Sequence, residues 1–205
     1  MSGKQPAIVL LGPTGSGKTP LGEMFERLGF NGRACVHFDF GQNLREAARR
    51  REPDEVISAR DIEFLRGVLE GGVLLEDRGF PIAERLLLSF LRKRHVDGEA
   101  LVVMNGLPRH VGQARALKKL LHMDEVVLLQ CSHDVIRQRI SRNTGGDRSR
   151  RTDDDADAVE RKLEIHAQRT APLVHYFRDQ EATIHEIQVT AGMKPDEMWH
   201  RLDGA

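Results

Sequence analysis

The fold is decided by the stretch Gly12-Pro13-Thr14-Gly15-Ser16-Gly17-Lys18-Thr19, which matches every fixed position of the phosphate-loop pattern G-x-x-x-x-G-K-[ST]. Residues 7–11, just before it, form an apolar run that is typical of a buried strand. The face of a helix is predicted just after it by apolar residues three and four positions apart, Leu21, Met24, Phe25 and Leu28. A strand, a glycine-rich loop and the start of a helix together aim backbone N–H groups at an anion.

The stretch therefore predicts a site for the phosphates of a nucleotide. Lys18 is expected to contact the outer phosphates, and Thr19 is expected to offer its hydroxyl to Mg²⁺. The predicted cofactor-binding residues of the loop are Gly12, Thr14, Gly15, Ser16, Gly17, Lys18 and Thr19.

The composition suits a soluble globular protein of one domain. The chain has 205 residues, of which 30% are charged and 40% apolar, and its formal net charge is zero. Such a chain has no overall field that attracts nucleic acid or an anionic membrane, so neither is expected as a partner. It shows no apolar run of membrane length and no signal-peptide pattern, so a cytoplasmic location is expected. Cys35 and Cys131 lie in apolar segments and are interpreted as reduced core residues.

Predicted strands alternate with predicted helices along the chain. The strands are expected at residues 7–11, 34–38, 100–104, 125–131 and 183–189. Among the helices, one is expected at about residues 59–70, and a long one, bent at Pro172, is expected from residue 159 onward. This alternation predicts an α/β fold of three layers, in which helices cover both faces of a five-stranded parallel sheet.

In such sheets ligands bind at the carboxyl ends of the strands. The phosphate loop, Asp39, residues 105–109 and the arginine-rich residues 142–151 are all expected at that edge.

Four further stretches carry residues suited to nucleotide chemistry. They are Gly41-Gln42-Asn43-Leu44-Arg45, then Asn105-Gly106-Leu107-Pro108-Arg109 with Gln113, then Gln138-Arg139-Ile140, and finally Arg151-Thr152-Asp153-Asp154 with Thr170-Ala171-Pro172-Leu173. In this order, behind the phosphate loop, they resemble the motifs of the adenylate kinases, which are nucleoside monophosphate kinases; the likeness is to the form with a short lid. The resemblance covers nearly the whole chain and is far more specific than the phosphate loop alone.

For the acceptor, the resemblance implies a nucleoside monophosphate, with AMP favoured. It implies that Arg45 and Arg109 hold the acceptor phosphate, that Gly106 belongs to the same site, and that Gln113 reads the adenine of the monophosphate. Arginine suits this role because its planar fork holds phosphate oxygens at two points.

For the donor, the resemblance implies ATP with Mg²⁺. Lys18, Arg109, Arg139 and Arg151 are the expected catalytic residues, and Arg139 is expected to lie on the donor nucleotide. The expected supporting cations are Arg148, Arg161 and Lys162. Phosphoryl transfer depends mainly on positioning and on charge stabilisation, so several cations around one site fit the chemistry.

The resemblance also implies how the chain is divided. Residues 1–205 are expected to form one P-loop NTPase-type kinase domain, and a monomer is expected. A small helical monophosphate-binding insertion is expected at about residues 40–76, and a short lid at about residues 142–153. Closure of both over the substrates would exclude water from the reaction.

The sequence departs from the family pattern at several site positions. The loop lysine and threonine are adjacent, whereas the family usually has a glycine between them. Asn105 replaces the strand-terminal acid that family members use near Mg²⁺, and an amide orients a metal-bound water more weakly than a carboxylate. Phe40 and Gln42 replace a threonine and an acid near the acceptor, and Lys162 keeps the charge of an arginine without its fork.

Asp39 supports a competing interpretation. An acid at the end of the second strand resembles phosphate-loop kinases of small hydroxyl compounds, such as shikimate kinase, where it helps to hold Mg²⁺ or the acceptor. Asp39 is therefore a candidate metal residue beside Thr19, and it could take over the role of the acid that is missing at position 105. It could equally be an ordinary turn aspartate. Two alternatives thus stay open, a kinase of a non-nucleotide acceptor and a nucleotide-binding regulatory protein with little catalysis.

Overall fold

A computed structural model describes residues 3–71, 79–147 and 156–203. Its centre is a parallel sheet of five strands in the order β2-β3-β1-β4-β5. The strands are β1 (Gln5–Leu11), β2 (Cys35–Asp39), β3 (Leu101–Asn105), β4 (Leu121–Gln130) and β5 (Thr183–Gln188). The prediction of a five-stranded parallel sheet is confirmed, and the strand with the phosphate loop at its end, β1, is the central one.

Helices cover both faces of this sheet, as predicted. They are α1 (Lys18–Leu28), α2 (Phe40–Ala48), α3 (Ala59–Glu70), α4 (Phe80–Lys93), α5 (Val111–Leu117), α6 (His133–Ser141), α7 (Ala156–Ile165), α8 (Pro172–Asp179) and α9 (Pro195–Asp203). Side chains of β1 point alternately to two separate cores. Val9 packs in the core formed with α2, α3, α4, α5 and α8, and Ile8 packs in the core formed with α1 and α9. Burial on both faces explains why this strand is apolar at every position from 7 to 11.

The predicted long helix after residue 159 is broken into three pieces. Helix α7 ends at Ile165, a π-helical segment covers His166–Thr170, and α8 begins at Pro172. Proline has no N–H to continue the helical ladder. The widened turn is visible in the bond from the N–H of Ala171 to the carbonyl of His166, at 2.8 Å. The backbone stays right-handed helical at Ile165 and Ala171, so the predicted long helix is interrupted by a π-helical segment just before Pro172.

The boundaries of the predicted insertion and lid fall partly outside the described residues. Residues 40–71 form α2, a loop and α3, and residues 72–76 of the insertion are not described. Of the lid, residues 142–147 are described and residues 148–153 are not. The two segments therefore stay predictions. Within the described ranges, no helix has both the length and the hydropathy needed to cross a membrane.

Candidate active site

The phosphate loop joins the end of β1 to the start of α1, and its glycines are required by close contacts. At Gly12 (φ +149°), a Cβ would lie 2.8 Å from the carbonyl oxygen of Leu129. Gly17 (φ +103°) is the N-cap of α1, and a Cβ there would lie 3.0 Å from the Arg139 guanidinium. A side chain at Gly12 would therefore collide with the backbone of β4, and a side chain at Gly17 would collide with Arg139.

Lys18 folds back across the loop. Its Nζ donates to the carbonyl oxygens of Gly12 at 2.6 Å and Pro13 at 2.8 Å. Most of the predicted cofactor-binding residues line one cavity, namely Gly12, Thr14, Gly15, Gly17, Lys18 and Thr19. The remaining loop residue of that set, Ser16, is fully buried. A lysine held at the mouth of a glycine-rich loop is placed to contact phosphate oxygens.

This cavity, of about 280 Å³, also collects residues from the ends of neighbouring strands. Asp39 ends β2, Asn105 ends β3, and both lie in its wall beside Thr19. We call these three neighbouring residues of the cavity wall the Thr19–Asp39–Asn105 corner. It lies where the phosphate loop meets the carboxyl ends of β2 and β3, as expected for a ligand site in a parallel sheet.

The side chains of the Thr19–Asp39–Asn105 corner bond to one another. The Thr19 hydroxyl donates to Asp39 Oδ2 at 2.8 Å. The Asn105 amide donates to Thr19 Oγ1 at 3.0 Å and to Asp39 Oδ2 at 2.9 Å. Asp39 and Asn105 are only 9% and 4% exposed. A buried carboxylate beside a loop hydroxyl is a pair of oxygen ligands that suits Mg²⁺.

Asp39 also has the role of a helix cap. Its Oδ1 accepts a hydrogen bond from the N–H of Gln42 at 2.8 Å, and it is the N-cap residue of α2. The two interpretations of Asp39 drawn from the sequence are therefore not exclusive, because each carboxylate oxygen has its own partners.

Arg45, from α2, and Arg109, from the segment after β3, line the same cavity. The Nε of Arg109 donates to the carbonyl of Gly106 at 2.9 Å, and its guanidinium lies 5.5 Å from the centroid of the Phe40 ring. Burial lowers the pKa of Arg109. The negative charge of Asp39 acts to raise this pKa, and the positive charge of Arg45 lowers it further. Two neighbouring cations of this kind favour a doubly charged anion between them.

Gln113 lies behind this pair rather than in the cavity wall. It is 1% exposed, and its Oε1 accepts a hydrogen bond from the backbone N–H of Arg109 at 2.9 Å. This contact gives Gln113 a part in holding Arg109, which the sequence did not predict.

Arg139, which was predicted to lie on the donor nucleotide, packs against the phosphate loop in the structure. It is 2% exposed, and its guanidinium donates to backbone carbonyls. The acceptors are Gly15 at 3.1 Å, Thr190 at 2.9 Å and Met193 at 2.7 Å. Arg139 thus braces the phosphate loop against the segment that follows β5.

The wall nearest the predicted lid comes from α7 and the π-helical segment. Lys162, His166 and Thr170 all line the cavity, and the Thr170 hydroxyl donates to the carbonyl of Arg109 at 3.1 Å. Burial and the charge of Lys18 lower the pKa of His166 from 6.5 to about 4. Sequence reasoning gave no role to His166, although the spacing of four between these three residues was a signal that they share a helix face.

Sequence reasoning missed a further residue of the cavity wall, and two predicted cations lie outside the described part of the chain. Asp147 lines the cavity and had no predicted role. Arg151, predicted as catalytic, lies outside the described residues, as does Arg148.

Comparison with known proteins places the chain in a family. No protein-family model matches the chain. An adenylate kinase of Thermus thermophilus is 30% identical over 205 residues, covering 97% of this chain and 96% of that protein. Adenylate kinase 1 of Nostoc sp. is 28% identical over 206 residues, covering 90% of this chain and 98% of the relative.

A solved structure shows the same fold. It is an unliganded sugar kinase from Janibacter sp. HTCC2649, with a TM-score of 0.52 over 96% of this chain and 91% of that chain. At 15% identity this likeness concerns the fold alone.

The five-stranded parallel sheet with a phosphate loop at the end of its central strand is a P-loop kinase fold. The adenylate kinases that match nearly the whole chain make the protein a phosphotransferase. The match to the Thermus adenylate kinase extends over nearly the full length of both chains at 30% identity, which is enough to assign a family. The chain belongs to the adenylate kinase family, as its motifs had indicated.

Proposed function

We propose that this protein transfers the γ-phosphoryl group of ATP to a nucleoside monophosphate, with AMP as the favoured acceptor. The observation that carries the proposal is that one cavity brings the phosphate loop with Lys18 together with Arg45 and Arg109. A donor triphosphate and an acceptor monophosphate would meet between these two sets of cations. The name of the Thermus relative supports AMP as the acceptor.

On the donor side, the loop N–H groups and Lys18 would hold the β- and γ-phosphates. Lys18 would exchange its carbonyl partners for phosphate oxygens, which carry full charge and make stronger hydrogen bonds. The Thr19 hydroxyl fits a magnesium ion, which when bound would neutralise charge on the phosphate oxygens. Arg139 would act through the loop, by holding the carbonyl of Gly15 in place.

On the acceptor side, Arg45 and Arg109 would hold the phosphate of the monophosphate. An oxygen of that phosphate attacks the γ-phosphorus of ATP, the bond from the γ-phosphorus to the β,γ-bridging oxygen breaks, and two nucleoside diphosphates result. The attacking oxygen is already ionised, so no general base is needed. Gly106 belongs to this side because its carbonyl fixes the Arg109 side chain, and Gln113 fixes the Arg109 backbone.

Closure is the remaining part of the proposal. Residues 40–76 would act as the mobile monophosphate-binding insertion, and residues 142–153 as the lid, with Arg151 as an added cation near the transferring group. Lys162 would approach from α7 as a supporting cation, because it already lines the cavity. Exclusion of water by closure would favour transfer to the acceptor over hydrolysis.

The decisive variant is Arg109→Ala. We expect kcat to fall on the order of a thousand-fold, because an arginine on the phosphates stabilises the transition state electrostatically. Arg115→Ala, an exposed arginine on α5, is the matched control and should keep wild-type turnover. A coupled assay of ADP formation measures both variants, and circular dichroism checks that they fold. Full activity of Arg109→Ala would overturn the proposal.

A panel of acceptors tests the substrate. ATP is offered with AMP, CMP, UMP, GMP and the deoxynucleoside monophosphates, and with shikimate as a small hydroxyl compound. Turnover with a monophosphate supports the proposal. Turnover with the hydroxyl compound alone supports the alternative based on Asp39, and ATP binding without any turnover supports a regulatory protein.

A further inference from the structure

The Thr19–Asp39–Asn105 corner contains a carboxylate on β2 and an amide on β3 at the same level of the sheet. Asp39 and Asn105 are direct register partners in the parallel pair of β2 and β3. Their side chains meet, because the Asn105 amide donates to Asp39 Oδ2 at 2.9 Å. Either position could therefore present an oxygen to the same point beside Thr19.

We propose that Asp39 is the carboxylate that orients the magnesium ion of the bound nucleotide, and that Asn105 acts as the hydrogen-bond donor that holds Asp39 in place. The proposal rests on the proposed use of ATP in this cavity, and it names the residues that would handle the metal. It also predicts that the carboxylate can be moved from position 39 on β2 to position 105 on β3 while metal binding is kept.

The amide at position 105 has a physical reason. A second carboxylate there would lie within hydrogen-bond distance of Asp39 Oδ2, in a corner that is almost fully buried. Two carboxylates at that distance would repel each other, and neither could donate a hydrogen bond to hold the other in place. An amide instead donates to both Asp39 and Thr19, which keeps one negative charge at one defined place.

The orientation of Asp39 favours the metal over an acceptor hydroxyl. Its Oδ2 receives the Thr19 hydroxyl and the Asn105 amide, so this oxygen faces the phosphate loop. Its Oδ1 is used by the N–H of Gln42. Oδ1 lies toward the acceptor side, since a Cβ at Gly41 would be 3.3 Å from both Oδ1 and Arg45 Nη1, but the bond from Gln42 already engages this oxygen as the cap of α2.

The same residue connects the two halves of the site. Asp39 caps α2, and α2 carries Arg45 on its second turn. The carboxylate that would orient the metal therefore also fixes the start of the helix that presents an acceptor arginine. A loss of charge at Asp39 would affect the metal directly, whereas a loss of the cap would affect Arg45.

The test exchanges the two side chains and reads out metal binding without turnover. ATP affinity is measured by calorimetry with EDTA and with Mg²⁺, and bound Mn²⁺ is followed by electron paramagnetic resonance in the presence of ATP. The variants are Asp39→Asn, Asn105→Asp and the double variant Asp39→Asn with Asn105→Asp. Asparagine is as good an N-cap as aspartate, so α2 keeps its cap in each.

In Asp39→Asn we expect ATP affinity in EDTA within about two-fold of wild type, and the gain from the metal ion reduced about ten-fold or more. Asn105→Asp should also weaken the metal-dependent gain in ATP affinity, because Asp39 then loses the amide donor that holds it and faces a second carboxylate. The double variant should recover most of it. Asp134→Asn, which removes an exposed acid from the first turn of α6, is the matched control and should bind like wild type.

Two results would overturn the proposal. One is an Asp39→Asn protein whose ATP affinity rises on addition of Mg²⁺ by the same factor as that of wild type. The other is a double variant that binds the metal–nucleotide no better than Asp39→Asn. These measurements need no acceptor, so a wild-type protein that fails with every monophosphate while Asp39→Asn loses metal-dependent binding would refute the proposed function and support this inference.

Discussion

His166 is a half-buried imidazole on the wall of the cavity beside the phosphate loop. Its pKa is lowered to about 4 by burial and by the positive charge of Lys18, which faces the same cavity. An imidazole in this state can accept or donate one hydrogen bond without adding a charge. The cavity therefore gains a polar group on the α7 side whose charge depends on pH.

This shift predicts how stability depends on pH. The unfolded chain protonates His166 near pH 6.5 and the folded protein only near pH 4, so between these values the unfolded state binds more protons. The free energy of unfolding should therefore fall as the pH is lowered from 6.5 to 4. His166→Gln removes this contribution, so denaturant titrations at about pH 7, 5.5 and 4.5 should show a smaller loss for the variant. Equal losses in the two proteins would contradict the shift.

At the scale of elements, α1 is held against β2 by a close contact between Gly22 and His37. A Cβ at Gly22 would lie 2.3 Å from His37 Nε2. His37 is 9% exposed and points from β2 into this contact. Because α1 begins at the phosphate loop, this contact also helps to set the direction in which the loop faces.

Two glycine-to-alanine variants test this contact. Gly22→Ala should lower the free energy of unfolding by roughly 1–3 kcal/mol, because the buried ring of His37 would have to shift to admit the added methyl group. Gly67→Ala, inside α3 with open space around it, should raise it by about 0.5–1 kcal/mol through helix propensity. Chemical denaturation measures both. A stabilised Gly22→Ala protein would show that the helix is free to shift away from β2.

The elements also show how far the sequence alone could predict this molecule. The inner strands β1 and β3 were predictable because burial on both faces makes them continuous apolar runs, and α3 was predicted at residues 59–70, where it is found. The side chain of Arg139 could not be placed, because its carbonyl partners are up to 124 residues away in the chain. Local patterns give periodicity and caps, but they carry no information on which backbone carbonyl will face a buried guanidinium.

The same reasoning applies to the site. That Thr19, Asp39 and Asn105 lie together was predictable, because residues at the carboxyl ends of parallel strands meet at one edge. Their division of roles was not, since it depends on distances such as that between Asn105 and Asp39. The sequence showed an acid missing at one strand end and present at another, and only the register of β2 and β3 shows that the two positions are partners.

At the scale of the whole molecule, the strand order places the two proposed half-sites side by side. β1, with the phosphate loop, lies next to β3, which ends in Asn105 and leads to Arg109, and β2 lies on the other side of β3. The donor and acceptor phosphates would thus meet above adjacent strands of one rigid sheet. Binding of both should stabilise the folded chain as a unit.

A bisubstrate compound that links ATP to AMP through their phosphates tests this arrangement. At a concentration about 100 times its Kd, a ligand of the folded state stabilises by about 2.7 kcal/mol, which for a chain of this size raises Tm by roughly 5–11 °C. We expect the compound to raise Tm more than ATP alone at the same concentration, because it also engages Arg45 and Arg109. In Arg45→Ala this excess over ATP should largely disappear, while the shift from ATP itself remains. A compound that protects wild type no better than ATP would mean that the arginine side of the cavity does not bind a monophosphate.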